Sequence, residues 1–262
     1  MKIDLSAKNA LVGASTQGLG FATAQILAEC GANVILMARN EEKLKKAVAK
    51  LPVVVSGQKH SYLAADFSDF DAYQEIIKNF FAHHEIDILV NNTNGPKAIS
   101  AMDAGLDAYG NTFDLLFKTV VQTTILAIPQ MIKKKSGRII NIASTSVVEP
   151  INNLVLSNSI RSATAAWAKT LASEVAQYHV TVNNILTGNF DTERITQLIS
   201  SQANSSGVSN EQISAERTEK IPMKRFGRPE EFGYLVAFLA SDFAAYITGA
   251  DIPIDGGLLK SR

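Results

Sequence analysis

Residues 13–20 read Gly-Ala-Ser-Thr-Gln-Gly-Leu-Gly, between an apolar run and the start of a helical pattern. Small residues at such a turn let the backbone approach a pyrophosphate, and the helix N-terminus behind it offers free N–H groups and a partial positive charge. Gly13, Ala14, Ser15, Thr16, Gln17, Gly18 and Leu19 are therefore candidate cofactor contacts. The next apolar run ends at Ala38-Arg39. An acid at that place would take a ribose 2′-hydroxyl and favour NAD, whereas a guanidinium suits a 2′-phosphate. Arg39 thus points to NADP(H) over NAD(H). Further on, Ser157 and Arg161 lie four residues apart on one helical pattern. Ile160, Ala163, Thr164, Trp167, Leu171, Ala172 and Val175 form its apolar stripe; Ser157 falls inside the stripe, Arg161 at its edge and Lys169 on the opposite face. A charge turned toward a core needs a partner or a ligand. The four histidines and the single Cys30 have no metal-ligand spacing, so no metal site is expected. Lys133, Lys134 and Lys135 close a helix, where cations suit the dipole, and do not read as a nucleic-acid patch.

These residues need a scaffold. Strands are expected at 9–14, 33–38, 60–65, 86–91, 138–143, 180–186 and 250–254, as continuous apolar runs more than alternations. Helical stretches are expected near 18–30, 40–50, 69–83, 112–135, 152–178 and 228–241, with a kink at Pro129. The alternation is that of a parallel sheet covered by helices. Residues 189–220 differ: they are polar, rich in Ser, Asn and Gln, with weak helical patterning at Ile195, Leu198 and Ile199. Placed between a strand and a helix, they read as a mobile lid.

The chain has 262 residues, a length that allows one or two domains; no linker divides it, and one domain spanning 1–262 is expected. With 46% hydrophobic and 19% charged residues the balance is globular. Lys and Arg (25) cancel Asp and Glu (25), so no broad field exists to hold nucleic acid or an anionic membrane. A lone cysteine fits a reducing compartment. The N-terminus lacks a long apolar segment, and no stretch reaches about 18 uninterrupted apolar residues. A cytoplasmic protein is expected.

Taken together, the turn at 13–20, ARNEEKL (38–44), AADFSD (64–69), DILVNN (87–92), GRIINIAS (137–144) and the tail at 225–257 resemble the short-chain dehydrogenase/reductase family, most closely its β-ketoacyl reductase-like members. The resemblance covers nearly the whole chain. It implies a doubly wound sheet of seven parallel strands and hydride transfer between NAD(P) and a carbonyl or alcohol. It implies Asp66 and Phe67 at the adenine, Asn92 in the motif after the fourth strand, Gly188 after the sixth, and Thr192 at the nicotinamide amide. Against the family turn TGxxxGxG, Gly13 holds the Thr place and Ala14 the first Gly place; alanine is tolerated there if its φ is negative. Helices 112–135 and 152–178 pair across two-fold axes in similar members, which implies a homotetramer or homodimer.

The family's catalytic tetrad is Asn, Ser, Tyr and Lys, with Tyr-x-x-x-Lys thirteen residues after the Ser. Ser144 matches the Ser, but the Tyr place is Ser157, the Lys place Arg161 and the Asn place Leu116. A serine hydroxyl is a far weaker acid than a phenol beside a cation, and arginine stays protonated. Three functions compete. The first is an NADP-dependent oxidoreductase acting on a small-molecule or acyl-carrier-linked carbonyl substrate. In it Ser144, Ser157 and Arg161 hydrogen-bond the substrate, and water or a tyrosine on the lid side supplies the proton. The second is a nucleotide-binding or regulatory protein without turnover. The third is a cofactor-independent lyase similar to halohydrin dehalogenases, which also carry Arg at the Lys place but keep the Tyr. Arg194 and Arg217 in the lid hint at an anionic or acyl-carrier substrate.

Overall fold

Continuous apolar runs become strands covered on both sides. A computed structural model describes residues 2–261. It contains seven strands: β1 (Asn9–Gly13), β2 (Asn33–Ala38), β3 (Ser61–Ala64), β4 (Ile88–Asn91), β5 (Gly137–Ile142), β6 (Val180–Thr187) and β7 (Asp251–Ile254). All pair parallel, in the order β3-β2-β1-β4-β5-β6-β7. The fold is the expected doubly wound seven-stranded parallel sheet. The chain winds outward from β1 to β3, then crosses to β4 on the other side of β1, so β1 and β4 flank the point where the winding reverses.

The helices α1 (Gly18–Glu29), α2 (Glu41–Val48), α3 (Phe70–His83), α4 (Leu106–Phe113), α5 (Thr119–Lys134), α6 (Val155–Val175), α7 (Glu193–Ser206), α8 (Asn210–Lys220) and α9 (Pro229–Ala240) make up the rest of the framework. Ala10, Val12, Val34, Leu36, Ile88 and Val90 pack on one face against α1, α2 and α9. Leu11, Ile35, Met37, Leu89 and Ile139 pack on the other against α3, α5 and α6. Successive side chains point to opposite faces of a strand, so both cores draw on the same runs.

The differences from expectation have physical causes. The stretch expected at 112–135 begins at Leu106, because Gly110 and Asn111 dilute the apolar period of α4. A π-helical turn, Asp114–Lys118, joins α4 to α5, and α5 continues through Pro129 to Lys134. The continuous helical stretch Leu106–Lys134 is long and apolar enough to cross a membrane by length and composition. Here Val120, Thr124, Ala127 and Met131 are buried, as in a core helix. Along α6 the buried line runs Leu156, Thr164, Ala165, Ala168, Ala172 and Val175, while Ala163 faces outward. Lys169 is exposed, as its phase implied, and donates to the Gly249 carbonyl at 2.6 Å. The segment expected to form a lid folds as a helical hairpin, α7 and α8, with a small core of Ile195, Ile199, Ala203 and Ile213. Ser209 and Gln212 cap α8 reciprocally.

Candidate active site

In a parallel sheet all C-terminal strand ends share one edge, and the loops that leave them meet there. That edge gathers the expected residues: the turn after β1, Arg39 after β2, Asp66 after β3, Asn92 after β4, Ser144 after β5, and Gly188 and Thr192 after β6.

The turn is held by close backbone approach. A Cβ on Gly13 would lie 2.2 Å from the Asn92 carbonyl oxygen, and Asn92 Nδ2 donates to the Gly13 carbonyl at 3.0 Å. As β1 and β4 converge in this chain, the backbone leaves no room for a side chain at Gly13. The expectation for Ala14 is corrected: its φ is +44°. The alanine sits in the left-handed region, at a cost of about 1 kcal/mol. Gly18, with φ +58°, occupies the same region freely. Ser15 is fully buried; its hydroxyl donates to the Val12 carbonyl at 2.8 Å and accepts from the Met37 N–H at 3.1 Å. Its side chain therefore ties the turn to β2 and does not face the cleft. Thr16 is half-buried and Gln17 exposed; Gln17 Nε2 donates to Glu193 at 2.5 Å. No side chain caps α1, and no acid stands in its first turn, which begins Gly18-Leu19-Gly20. The first N–H groups of a helix lack intrahelical acceptors, so these are open to an anion.

After β3, Asp66 accepts from the Ser68 N–H at 2.9 Å and the Ser68 hydroxyl at 2.7 Å. The backbone hydrogen bond from Ser68, with help from its hydroxyl and from Arg39, holds the Asp66 carboxyl below the usual carboxylate range. Arg39 is exposed, and among the described residues it makes no ion pair with an acid within 4 Å. Phe67 turns its ring into the core, 5.4 Å from the Tyr73 ring, which leaves only its backbone for the cleft. Gly188 packs where a Cβ would meet Asp255 at 2.6 Å. Thr192 starts α7, and its methyl lies 3.7 Å from where a Gly18 Cβ would be. The start of α7 therefore lies against the turn.

The positions expected to be catalytic gather around the end of β5. Ser144 caps a short 3-10 turn, Thr145–Val147, and its Oγ accepts from the Ser146 N–H at 3.1 Å, leaving its own hydrogen to donate. Ser157 is half-buried on α6, which packs against that turn. One helical turn on, Arg161 Nη1 donates to the Ile142 carbonyl at 2.5 Å. Burial first, and the nearby Arg194 second, push the Arg161 guanidinium down to about 10. Leu116 lies buried in the π-helical turn. Its carbonyl accepts from Thr164 Oγ1 at 3.1 Å. Arg161, Leu116, Thr93 and three asparagines, Asn91, Asn141 and Asn184, line a cavity of about 10 Å³, the room that one water needs.

Sequence reasoning missed those asparagines. They stand side by side on β4, β5 and β6. Asn91 Nδ2 donates to Thr124 (2.9 Å) and Asn141 (2.8 Å), Asn141 Nδ2 to Asn184 (2.9 Å), and Asn184 Nδ2 to Asp251 (2.7 Å). Their signal was an amide within or at the end of three apolar runs. The lid segment 189–220 contains no tyrosine, so it cannot supply the phenol expected from that side. Among the described residues no group of three or more His, Cys, Asp and Glu side chains could hold a metal.

The family described as enoyl-(acyl carrier protein) reductase matches residues 13–259. Oxidoreductase YvaG of Bacillus subtilis is 31% identical over 100% of this chain and 99% of its own. The 3-oxoacyl-[acyl-carrier-protein] reductase FabG of Chlamydia trachomatis is 29% identical over 96% and 97%. L-sorbose reductase of Gluconobacter frateurii, solved with NADPH and L-sorbose, superposes with a TM-score of 0.90 at 27% identity, covering 100% of both chains.

Proposed function

The chain belongs to the short-chain dehydrogenase/reductase family, and on that premise we propose that it is an NADP(H)-dependent oxidoreductase acting on a carbonyl or alcohol substrate. The observation that carries this reading is the uncapped, acid-free start of α1 behind a turn in which Gly13 leaves no room for a Cβ. Ser15 holds that turn in place, and Thr16, Gln17, Gly18 and Leu19 would face the pyrophosphate. Arg39 would take the 2′-phosphate, Asp66 and the Phe67 backbone the adenine side, and Asn92, Gly188 and Thr192 the nicotinamide end. The solved L-sorbose reductase with NADPH supports the choice of cofactor.

Bound there, NADPH supplies a hydride to the substrate carbon. The chain's own part is orientation and charge. Ser144 and Ser157 donate hydrogen bonds to the carbonyl oxygen, and the fixed charge of Arg161 stabilises the alkoxide that forms. The proton comes from water, because serine is a weak acid and arginine does not release its own. The similarity to FabG supports a 3-oxoacyl or other ketone substrate, free or carrier-linked.

A second reading, a nucleotide-binding protein without turnover, is favoured by Leu116, Ser157 and Arg161 standing where the family's Asn, Tyr and Lys belong. The lyase reading has less support, since the small-residue turn at 13–20 is kept. Calorimetry with NADPH and NADH separates these. NADPH is expected to bind about tenfold tighter or more, and Arg39→Ala to remove the difference, because a charged hydrogen-bond partner of the 2′-phosphate is lost. A panel of ketones including 3-oxoacyl thioesters then reads turnover. Folded protein that binds NADPH and oxidises none of it above background supports the second reading, and no binding at millimolar cofactor ends both.

Leu106 (88% exposed) and Ile125 (54%) stand out from α4 and α5, and Trp167 and Leu171 on α6 are half-buried. Pairing of these helices across two-fold axes would cover them in a cytoplasmic homotetramer. Light scattering is expected to return four times the chain mass of 28.2 kDa; a monomer alone refutes it.

A further inference from the structure

Two guanidinium groups share the corner where β4 and β5 end. Arg161 reaches it from α6, on the Ile142 carbonyl. Arg194 reaches it from α7, with Nη2 donating to the Pro96 carbonyl at 2.8 Å. The Arg194 guanidinium packs against Gly95, where a Cβ would stand 3.1 to 3.5 Å from three of its atoms. The loop after β4 is pinned to the start of α6 by hydrogen bonds between Ile99 and Asn153 (2.7 Å) and between Val155 and Ile99 (3.4 Å). Thr93, two residues before Gly95, lines the same small cavity as Arg161, so the start of this loop stands beside Arg161.

Neither cation has an acidic partner. Among the described residues no carboxylate lies within 4 Å of Arg161 or Arg194. The acid beside Arg194 in sequence, Glu193, is turned away onto Gln17 and Gln197. Asp255 accepts from the backbone of Gly257 and Leu259. Arg161 is withdrawn from solvent, which lowers its proton affinity, whereas Arg194 is exposed at the surface above it; each is held to protein by a single neutral carbonyl. A desolvated cation without a counter-charge, as Arg161 is, is costly unless it is paired or given to a ligand, and the exposed Arg194 adds a second unpaired charge of the same sign beside it.

Resting on the oxidoreductase reading and deepening it, we propose that Arg161 and Arg194 form an anion clamp for the substrate, so that the substrate class is an oxo acid whose carboxylate (or an equivalent anionic group) binds between them. The cofactor's pyrophosphate is the other anion within reach. Local geometry argues against it: Thr192 and Glu193 are the lid residues that face the turn, whereas Arg194 points away toward Gly95–Pro96. A clamp at the mouth also gives the lid an attachment point, because Arg194 sits in the first turn of α7.

The test titrates acetoacetate and 2-oxobutyrate, each beside its methyl ester, into the protein with and without NADP⁺. The variants are Arg194→Ala and Arg194→Lys. The acids are expected to bind about tenfold tighter than their esters, as for a charge-assisted contact. Arg194→Ala should erase that preference while NADP⁺ affinity stays within about twofold, and Arg194→Lys should restore part of it. Equal binding of acids and esters to the native protein overturns the clamp. So does an Arg194→Ala variant that loses NADP⁺ affinity but keeps the acid preference, which assigns the cation to the cofactor. If NADP⁺ fails to bind while Arg194 still discriminates acid from ester, the oxidoreductase reading falls and the clamp stands.

Discussion

Installing Leu116→Asn, Ser157→Tyr and Arg161→Lys together is expected to raise NADPH-dependent ketone reduction by about 10²- to 10³-fold over the native chain, the usual contribution of a positioned general acid. The native site offers the carbonyl oxygen serine hydroxyls and a fixed positive charge. Neither releases a proton near neutral pH. A phenol at 157 would lie one helical turn from an ammonium at 161, and an adjacent cation draws its pKa toward the working range. Lysine, unlike arginine, shifts its own proton affinity readily when buried. Asparagine at 116 would add a polar side chain to a cavity already lined by Asn91, Asn141 and Asn184. Steady-state kinetics over a pH series is the measurement. The variant should gain kcat and a new ionisation in its pH profile, while the native chain shows neither. No gain in a variant with native circular dichroism and NADPH affinity would mean that the two serines and Arg161 serve something other than carbonyl reduction. Ser157→Tyr alone should give a smaller gain, because Arg161 still cannot relay a proton.

The second large effect is a loss. Gly13→Ala is expected to destabilise the fold by about 2–3 kcal/mol, lowering the melting temperature by about 5–10 °C, and to remove measurable NADPH binding. The added methyl would come within 2.2 Å of a carbonyl oxygen and 3.2 Å of two further backbone atoms of Asn92. All three are main-chain atoms at the end of β4, so relief requires parting β1 from β4 at the point where the winding reverses. Gly110→Ala is the control. Nothing lies within 4 Å of its added methyl, in the helix α4. It should gain about 0.5–1 kcal/mol, the ordinary helix preference of alanine over glycine. Thermal melts and calorimetry on the two variants read both expectations. Equal stability of the two would mean that the β1–β4 approach yields easily.

Much of the fold is legible in the sequence. Strands buried on both faces leave uninterrupted apolar runs, and each of the seven expected strands formed within two residues of its expected limits. The turn at 13–20 was legible because its residue sizes carry the message. Orientation was not. Nothing in the letters of Ser15 says that its hydroxyl turns inward to β2, or that Phe67 leaves only its backbone outside. The positive φ of Ala14 was unreadable because alanine normally argues the opposite. The lid helices were faint because Ile195, Ile199, Ala203 and Ile213 make only a small core. The pairing of Arg161 with Arg194 joins residues 33 positions apart in sequence through a third segment at Gly95–Pro96, a relation that only the folded chain contains.

The row of asparagine amides has a direction. Each one hands its hydrogen toward β7, and the last hands it to Asp251, which as a carboxylate can only accept. Because an amide has one hydrogen-bearing end, that terminal acceptor sets the sense of all three, like a line of compass needles aligned by one magnet. Asn91 spends both amide hydrogens, one on Asn141 and one on Thr124. That leaves Asn91 no hydrogen to donate into the cavity that it lines together with Arg161, where it can only accept. The polarity of the cavity wall is thus written at an exposed residue three strands away, about 14 Å at the usual strand spacing. Exchange of Asp251 for a residue that can also donate would free the row to reverse, and the site would change its hydrogen-bonding character with no residue inside it altered.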